Sequence, residues 1–461
     1  MTTHVTEAGA PMRRNPIRLP RAFHSTLAAL ALSAAALYAQ ARPAAPTRTA
    51  VTVADTAAIR AAVERVAPAM IEVRHDLHQN PELGNRETRT AGIVAERLRA
   101  LGLEVRTGVA HTGVVGVLRG GRAGPVVAVR ADMDALPVTE ATDLPYRSTV
   151  RTTFNGVDVG VMHACGHDIH TSVLLGVASV LAGMRERVPG TVLFVFQPAE
   201  EGAPAGEQGG AQLMLAEGTF RDPRPNAVFG LHTNPELEVG AVGYTPGAAL
   251  ASAATFTATI RGRQAHGARP ELSVDPIVTA SQVVLALQTI RSRNLSPFAP
   301  TVLTVGILRS GERANIIPAE ARMEGTIRTY DRAVEDTVKR RMREIFEGVT
   351  RAAGATFTLD IGASLPVVVN DRPLTVRMVP SLARTLGEAK VRELPPASVS
   401  EDFSYFSNEV PGFYFWLGVL RPGTTSGPLH SPTYLADDGA VPVGIRAMAT
   451  LVLEYLGSGG R

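Results

Sequence analysis

Short apolar runs rich in β-branched residues alternate with helical stretches along most of this chain, and no other feature limits its fold as strongly. The strand-like runs are residues 114–118, 126–129, 192–196, 227–231 and 413–418. The helical stretches around them include residues 57–77, 86–101 and 171–186. Strands that are apolar throughout and separated by helices are typical of a mostly parallel sheet covered on both faces. We therefore predict an α/β fold.

The pattern changes between residues 250 and 362. Strands are predicted there at 253–260, 301–308 and 321–328, and helices at 274–290 and 333–353. This strand–helix–strand–strand–helix order predicts a small α+β domain inserted into a larger one, and 461 residues are enough for two domains. The larger domain would then comprise residues 57–249 and 363–457.

The N-terminal 41 residues have the features of a signal peptide. A basic stretch at 13–21 precedes an apolar run at 27–38, and Ala39-Gln40-Ala41 is a small-x-small cleavage site. We therefore expect cleavage near Ala41 and a periplasmic or extracellular protein that begins with a linker at 42–56. An uncleaved anchor is the alternative, and the Arg13-Arg14 pair leaves open the choice between Sec and twin-arginine export.

Charge and hydropathy argue against nucleic-acid and membrane partners. The chain has 46 basic and 43 acidic residues, but residues 1–41 hold four arginines and one glutamate. Without that segment 42 residues of each sign remain, so a polyanion-binding surface is not indicated. The apolar run at 27–38 is short for a bilayer span, and we expect no later segment to reach that length. We predict no membrane association after cleavage.

Potential metal ligands follow or precede the predicted secondary structure at several points. They are Asp132 and Asp134, Cys165 and His167, Glu200 and Glu201, and His232. Most of them directly follow an apolar strand, and ligands of open α/β sheets bind at the carboxyl ends of the strands. The sequence therefore predicts a metal site at this edge. Asp132 and Asp134 could be ligands or could instead support a ligand histidine.

The residue types of this set suit a transition metal. Cys165-Gly166-His167 is a compact pair of thiolate and imidazole, which bind Zn, Co, Ni or Mn. Adjacent Glu200 and Glu201 would repel each other unless a cation lies near, and a free carboxylate beside a metal site can act as general base. Taken alone, Cys165 could be a small buried residue, and the two glutamates could be a solvated surface pair.

Several longer motifs occur in a fixed order along the chain. They are Arg74 to His78 (RHDLH) with Pro81-Glu82, Arg130 to Pro137 (RADMDALP), His163 to Asp168 (HACGHD), Gln197 to Gly202 (QPAEEG), Gly262 to His266, Ala314 to Pro318 (ANIIP), and Ser400 to Phe403 (SEDF). In these motifs the chain resembles the amidohydrolase subfamily of metallopeptidase family twenty, in clan MH. That subfamily includes hippurate hydrolase, indole-acetyl-amino-acid hydrolases and N-acetyl-diaminopimelate deacetylases, and the resemblance covers about residues 60–457.

The resemblance implies a dinuclear metal centre and assigns its residues. The implied metal ligands are Cys165, His167, Glu201, His232 and His430. Cys165 would bridge two divalent ions, which could be Mn, Zn, Co or Ni, and Glu200 would be the general base. Peptidases of the wider family have His-x-Asp where this chain has Asp132-Met133-Asp134, and this difference favours the amidohydrolase branch.

The resemblance also implies that the inserted domain is a lid that forms a homodimer. His266 matches a residue that stabilises the oxyanion, often across the dimer, and it could otherwise be a plain loop histidine. Asn315 and Arg328 match groups that bind the substrate carboxylate, a role that suits the planar guanidinium of arginine. Without the resemblance, Arg328 could equally form a surface ion pair.

The predicted function is hydrolysis of the amide bond of N-acyl amino acids, of the hippurate type or related small amides, by metal-activated water with Glu200 as base. Two alternatives belong to other classes. A non-catalytic binding protein has no need of Glu200 beside Glu201. A metallo-carboxypeptidase acting on peptides is less consistent with Cys165 in place of a bridging carboxylate.

Overall fold

The structure is a computed structural model that describes residues 53–460, with side chains from residue 55. The predicted signal peptide at 1–41 lies outside the described residues, as does most of the predicted linker. The first helix begins at Val53, so residues 53–56, which we predicted as linker, are helical. Nine α-helices occur in the described part of the chain: α1 Val53–Gln79, α2 Thr88–Ala100, α3 His167–Gly183, α4 Gly210–Ala216, α5 Pro276–Thr289, α6 Arg332–Ala353, α7 Arg372–Leu386, α8 Phe403–Glu409 and α9 Ala440–Gly457.

The described part of the chain also contains strands of very different length. The strands are β1 Glu104–Val109, β2 Gly113–Arg119, β3 Arg122–Asp132, β4 Arg151–Phe154, β5 Val157–Gly160, β6 Pro189–Gln197, β7 Ala227–Glu238, β8 Val242–Tyr244, β9 Gly247–Leu250, β10 Ala254–Arg261, β11 Ala265–His266, β12 Thr301–Ser310, β13 Ile316–Ile317, β14 Glu320–Thr329, β15 Thr356–Ile361, β16 Val368–Asn370, β17 Val391–Glu393 and β18 Gly412–Leu420. The long apolar strands are those predicted from the sequence.

The largest sheet has the strand order β1–β2–β6–β3–β7–β18–β8–β17. Its four central strands, β6, β3, β7 and β18, run parallel. Antiparallel strands β2 and β8 flank this group. The predicted α/β fold with a mostly parallel sheet is therefore confirmed.

Alternate residues of the central strands enter two separate apolar cores. On β3, Val127 and Val129 belong to the core formed with α1, α3, α7 and α9, whereas Ala128 belongs to the core formed with α4 and α8. Side chains alternate between the faces of a strand. Because both faces are covered, successive positions in the middle of these strands are apolar, which explains the uninterrupted apolar runs in the sequence.

Helix α9 departs from one sequence-based expectation. Its 18 residues are apolar enough to cross a membrane by length and composition, although we expected no such segment after the signal peptide. However, 78% of this stretch is buried inside the protein, where α9 packs against α1, α3 and α7. The core accounts for its apolar character.

A second sheet, with the order β12–β14–β10–β15, is antiparallel throughout. Helices α5 and α6 pack on it and share a separate apolar core with it. The three strands and two helices predicted for this region are present, and β15 is an additional strand that we did not predict. The division into domains at residues 250 and 362 stays a prediction.

Local chemistry fixes the ends of the two helices in this region. The carboxylates of Asp275 and Asp331 accept hydrogen bonds from the first backbone N–H groups of α5 and α6. Pro276 occupies the first turn of α5, where no N–H donor is required. Gly354 ends α6 at a φ of +69°, a conformation that glycine adopts without strain.

Candidate metal centre

The five predicted ligands come from distant parts of the chain and lie together at the carboxyl edge of the large sheet. Cys165 and His167 lie at the start of α3, and Glu201 follows β6. His232 lies within β7, and His430 lies between β18 and α9. The predicted clustering at strand ends therefore describes where these side chains are, although their assignment as ligands stays a prediction.

The side chains form two groups that share one sulfur atom. Cys165, His167 and His232 make up the first group, and Cys165, Glu201 and His430 make up the second. The Cys165 Sγ atom lies 3.3 Å from His232 Nε2 and 3.2 Å from His430 Nε2. His430 Nε2 lies 3.0 Å from Glu201 Oε1, and His167 Nε2 lies 4.0 Å from the same oxygen. This arrangement suits two ions bridged by Cys165.

Unpartnered polar atoms inside the cluster test whether metal ions fit there. Within residues 53–460, the Nε2 atom of His167 and the Oε1 atom of Glu201 are buried without a hydrogen-bond partner. The contact of 3.0 Å between Glu201 Oε1 and His430 Nε2 is an ion-pair contact and not a hydrogen bond. Buried polar atoms normally have partners, and divalent cations would satisfy these. The donor set therefore fits the metal ions that the family implies.

The electrostatics of the cluster point the same way. Burial, followed by the carboxylates of Glu201 and Glu200, raises the pKa of the Cys165 thiol well above its ordinary range. Burial opposes a charge on His167, but Asp132 and Asp134 raise its pKa to about 10. A bound cation would replace both protons, because thiolate and neutral imidazole are the forms that ligate metals.

His232 is already oriented as a ligand. Its Nδ1–H donates to the backbone carbonyl of Thr233 over 2.8 Å, which leaves Nε2 directed at Cys165. Burial, followed by the neighbouring His170, lowers the pKa of His232 to about 3. The ring is therefore neutral at physiological pH, as a metal-ligating histidine must be.

His430 is held in an unusual backbone conformation. Its φ is +64°, a region that non-glycine residues seldom occupy, and its side chain is 52% exposed. The His430 N–H donates to the Ala164 carbonyl over 2.9 Å, which fastens this loop beside Cys165. Among the predicted ligands it is the most exposed to solvent.

Asp132 and His170 form hydrogen bonds next to the predicted ligands. The His170 Nδ1 atom lies 2.6 Å from Asp132 Oδ1, and its Nε2 accepts a hydrogen bond from the Thr233 N–H over 2.9 Å. Because both nitrogens of His170 have partners, this ring is not a free ligand. Asp134 accepts a hydrogen bond from the Glu201 N–H over 3.0 Å and lies 3.3 Å from His167 Nδ1. Asp134 thus contacts two of the predicted ligands, whereas Asp132 contacts His170.

Sequence reasoning missed His170, although a signal was present. It lies three residues after His167 on α3, and residues at this spacing face the same side of a helix.

A buried arginine near Glu200 forms ion pairs with three acidic side chains. Arg130 donates to Asp132 Oδ2 over 2.7 Å, to Glu401 Oε1 over 2.8 Å and to Asp402 Oδ1 over 3.0 Å. Tyr414 donates its hydroxyl to Glu401 over 2.6 Å. The Ser400–Phe403 motif helped to identify the family resemblance, but we predicted no role for Glu401 or Asp402, and the structure shows that they belong to this network.

Glu200 lies above this network, at the edge of the cluster. Its Oε2 atom lies 4.0 Å from His167 Nε2, and its side chain is 9% exposed. Burial, followed by the carboxylates of Glu401 and Glu201, raises the pKa of Glu200 well above its usual range. A raised pKa makes the Glu200 carboxylate a stronger proton acceptor.

A second buried network fastens the start of α3 to α1. Arg74 donates to Asp168 over 3.1 Å, and His78 Nδ1 lies 3.0 Å from the same oxygen. Burial opposes a charge on His78, but Asp168 and Glu140 raise its pKa to about 9. The RHDLH motif therefore stabilises the segment that carries Cys165 and His167.

The two predicted substrate-binding residues, Asn315 and Arg328, and the predicted oxyanion-stabilising residue His266 lie in two places. Arg328 lines a cavity of about 470 Å³ together with Glu200, Glu201 and His430. His266 and Asn315 lie together instead, on and beside the β11–β13 pair. In the part of the chain that the structure describes, no hydrogen bond or ion pair links these two residues to the predicted metal ligands.

Comparison with known proteins agrees with this geometry. Residues 128–454 match the model of peptidase family M20/M25/M40. Thermostable carboxypeptidase 2 of Saccharolobus solfataricus is 36% identical over 85% of this chain and 97% of its own length. N-acetylcysteine deacetylase of Bacillus subtilis is 35% identical over 84% of this chain and 97% of its own length. The Bacillus subtilis YXEP protein, a dinuclear metal binding peptidase of family M20, superimposes with a TM-score of 0.71 at 32% identity, covering 85% and 99%.

The fold and the ligand cluster define a metal-dependent hydrolase that acts on amide bonds. The chain belongs to peptidase family M20/M25/M40, which confirms the family resemblance found in the sequence.

Proposed function

We propose that this protein hydrolyses N-acyl amino acids. The observation that carries the proposal is that Arg328 shares one cavity with Glu200 and the ligand cluster. Arg328 Nη1 donates to Ser400 over 2.9 Å, and no carboxylate within residues 53–460 forms an ion pair with its guanidinium. An arginine beside a catalytic cluster and without an acidic partner is suited to binding a substrate carboxylate.

Glu200 would move the proton in this reaction. Bound metal ions would polarise the amide carbonyl and lower the pKa of water. Glu200 lies beside the ligand cluster, so its carboxylate can take a proton from the attacking water and deliver it to the leaving amine. Arg328 would orient the amino-acid half of the substrate by its carboxylate, which fixes the amide relative to Glu200.

Metal add-back tests the proposal. The chain from Arg42 is stripped with a chelator and reloaded separately with Zn, Mn, Co or Ni. Amine release is then measured from N-acetyl and N-benzoyl amino acids and from dipeptides. We expect metal-dependent release from the acyl amino acids, with binding of two metal equivalents per chain.

Two other outcomes would replace the proposal. Faster cleavage of dipeptides than of acyl amino acids would favour a carboxypeptidase, the activity named for the Saccharolobus solfataricus relative. Binding of two metal equivalents without hydrolysis of any compound in the panel would favour a binding protein.

We also propose that the chain forms a homodimer through the region of β12 and α5. Helix α5 exposes a row of apolar side chains, with Ile277 43%, Val278 54% and Leu285 71% exposed. His266 and Asn315 lie in the same region of the chain, away from the metal cluster. A dimer would cover this apolar face and could bring His266 to the cluster of the partner.

A charge on this face should prevent dimer formation. We expect Leu285→Asp to be monomeric in size-exclusion chromatography with light scattering, where the unsubstituted protein is a dimer. Val376→Asp is the matched control, because Val376 is 72% exposed on α7 in the other part of the fold. A Leu285→Asp protein with the mass of the unsubstituted protein would contradict this interface.

A further inference from the structure

A second cavity lies on the other side of the segment that carries Glu201. Its volume is about 420 Å³, within the range of small-molecule pockets. Glu201 and Gly202 line both this cavity and the one that contains Arg328. Glu201, one of the predicted metal ligands, therefore borders both cavities.

A small hairpin forms one wall of the second cavity. Strands β4 and β5 pair through the turn Asn155-Gly156, whose φ values of +51° and +78° define a tight two-residue turn. At the base of the hairpin, the Val161 N–H donates to the Val150 carbonyl over 3.0 Å. The wall is thus regular structure with a fixed position rather than an irregular loop.

The chemistry of the walls favours an apolar occupant. The opposite wall contributes Leu136 and Pro137, the hairpin contributes Phe154, and Val161 lies at its base. Both arginines at the rim already pair with an acid, Arg86 with Glu207 and Arg151 with Asp158, and Glu82 accepts hydrogen bonds from the Arg89 and Thr90 N–H groups. Among the described residues, the cavity therefore offers no unpaired arginine or lysine to a ligand carboxylate.

Substrate geometry assigns the two cavities. The carbonyl carbon of an amide is bonded to the acyl substituent on one side and to the nitrogen on the other. A substrate whose carbonyl lies at the predicted metal ligands therefore needs space on two sides. The cavity that contains Arg328 suits the amino-acid half of the substrate, which carries the carboxylate. We infer that the cavity beneath the β4–β5 hairpin binds the acyl group and selects apolar, aromatic acyl groups over acetyl. This inference rests on the proposed function.

Two hairpin variants test the inference. The ratio of kcat/KM for N-benzoylglycine to that for N-acetylglycine is measured with the metal-loaded enzyme. We expect the unsubstituted enzyme to prefer the benzoyl compound and Phe154→Ala to lower the ratio about tenfold, because an apolar contact to the ring is lost. Thr152→Trp, at an exposed position that lines the cavity, should lower the ratio by filling the space.

A binding measurement and a control accompany the kinetics. Both compounds are also titrated calorimetrically into Glu200→Gln proteins with the original hairpin and with each hairpin substitution. The ratio of the two affinities should change in the same direction as the ratio of kcat/KM, without turnover. Val157→Ala is the control, because Val157 is 61% exposed on the same hairpin but does not line the cavity. Its ratio should match that of the unsubstituted enzyme.

The outcomes separate this inference from the proposed function. If both hairpin variants hydrolyse the two compounds with an unchanged ratio, the acyl group binds elsewhere and the inference is wrong, while the amidohydrolase activity stands. If the unsubstituted, metal-loaded enzyme hydrolyses neither compound nor any other N-acyl amino acid, the proposed function fails and the inference fails with it.

Discussion

Glu200→Gln is expected to lower kcat by a factor of about 10² to 10⁴, the usual contribution of a general base. The amide has nearly the shape of the carboxylate but cannot accept the proton from the attacking water. Metal content should stay at two equivalents per chain, because Glu200 lies beside the two ligand groups that share Cys165 and belongs to neither. The measurements are kcat on the preferred acyl amino acid and metal content by mass spectrometry.

Glu201→Gln is the matched comparison, since it makes the same chemical change one residue away. Glu201 Oε1 lies 3.0 Å from His430 Nε2 within the second ligand group, so this variant should lose both metal and activity. A Glu200→Gln protein with unchanged kcat, or with the metal loss expected of Glu201→Gln, would remove Glu200 from the role of base.

Arg130→Met is expected to destabilise the fold by about 3–5 kcal/mol, the usual effect of removing one partner from a buried ionic group. Methionine fills similar space but leaves Asp132, Glu401 and Asp402 without their shared cation. Arg130 is 2% exposed, so water cannot replace it. Denaturant unfolding of the metal-free protein measures the effect without a contribution from metal binding.

Arg119→Met provides the control for this substitution. Arg119 pairs with Glu104 on the surface, where both side chains are at least 60% exposed, and such pairs contribute little to stability. Its unfolding midpoint should stay close to that of the unsubstituted protein. Equal midpoints for Arg130→Met and Arg119→Met would show that the acids beneath Glu200 do not depend on Arg130.

The central strands could be predicted because burial on both faces gives each of them a continuous run of apolar residues. Strands β3 and β6 are covered on both faces, so their apolar runs are uninterrupted. Strands β8 and β17 have three residues each, which is too few for a periodic pattern to appear. Strand β15 alternates apolar and polar residues, so its signal was present and we missed it.

The site could be predicted in part for a related reason. Residues such as Glu201 and His232 stand at or near the ends of recognisable strands, so the topology of a parallel sheet brings them together. The partners of Arg130 could not be found in this way, because Glu401 lies 271 positions away and follows no recognised strand. His430 came only from the family resemblance, since a solvent-facing loop histidine has no local pattern.

The spacing of the ligands along the chain has a consequence for stability. Cys165 and His430 are 265 positions apart, yet their side chains lie 3.2 Å from each other. Ions held by both residues would close a loop of that length, and closing a long loop restricts the unfolded chain. The chain has a single cysteine and cannot form an internal disulfide. The metal centre would therefore act as a reversible crosslink between its two halves, one that a chelator can open and a metal salt can restore.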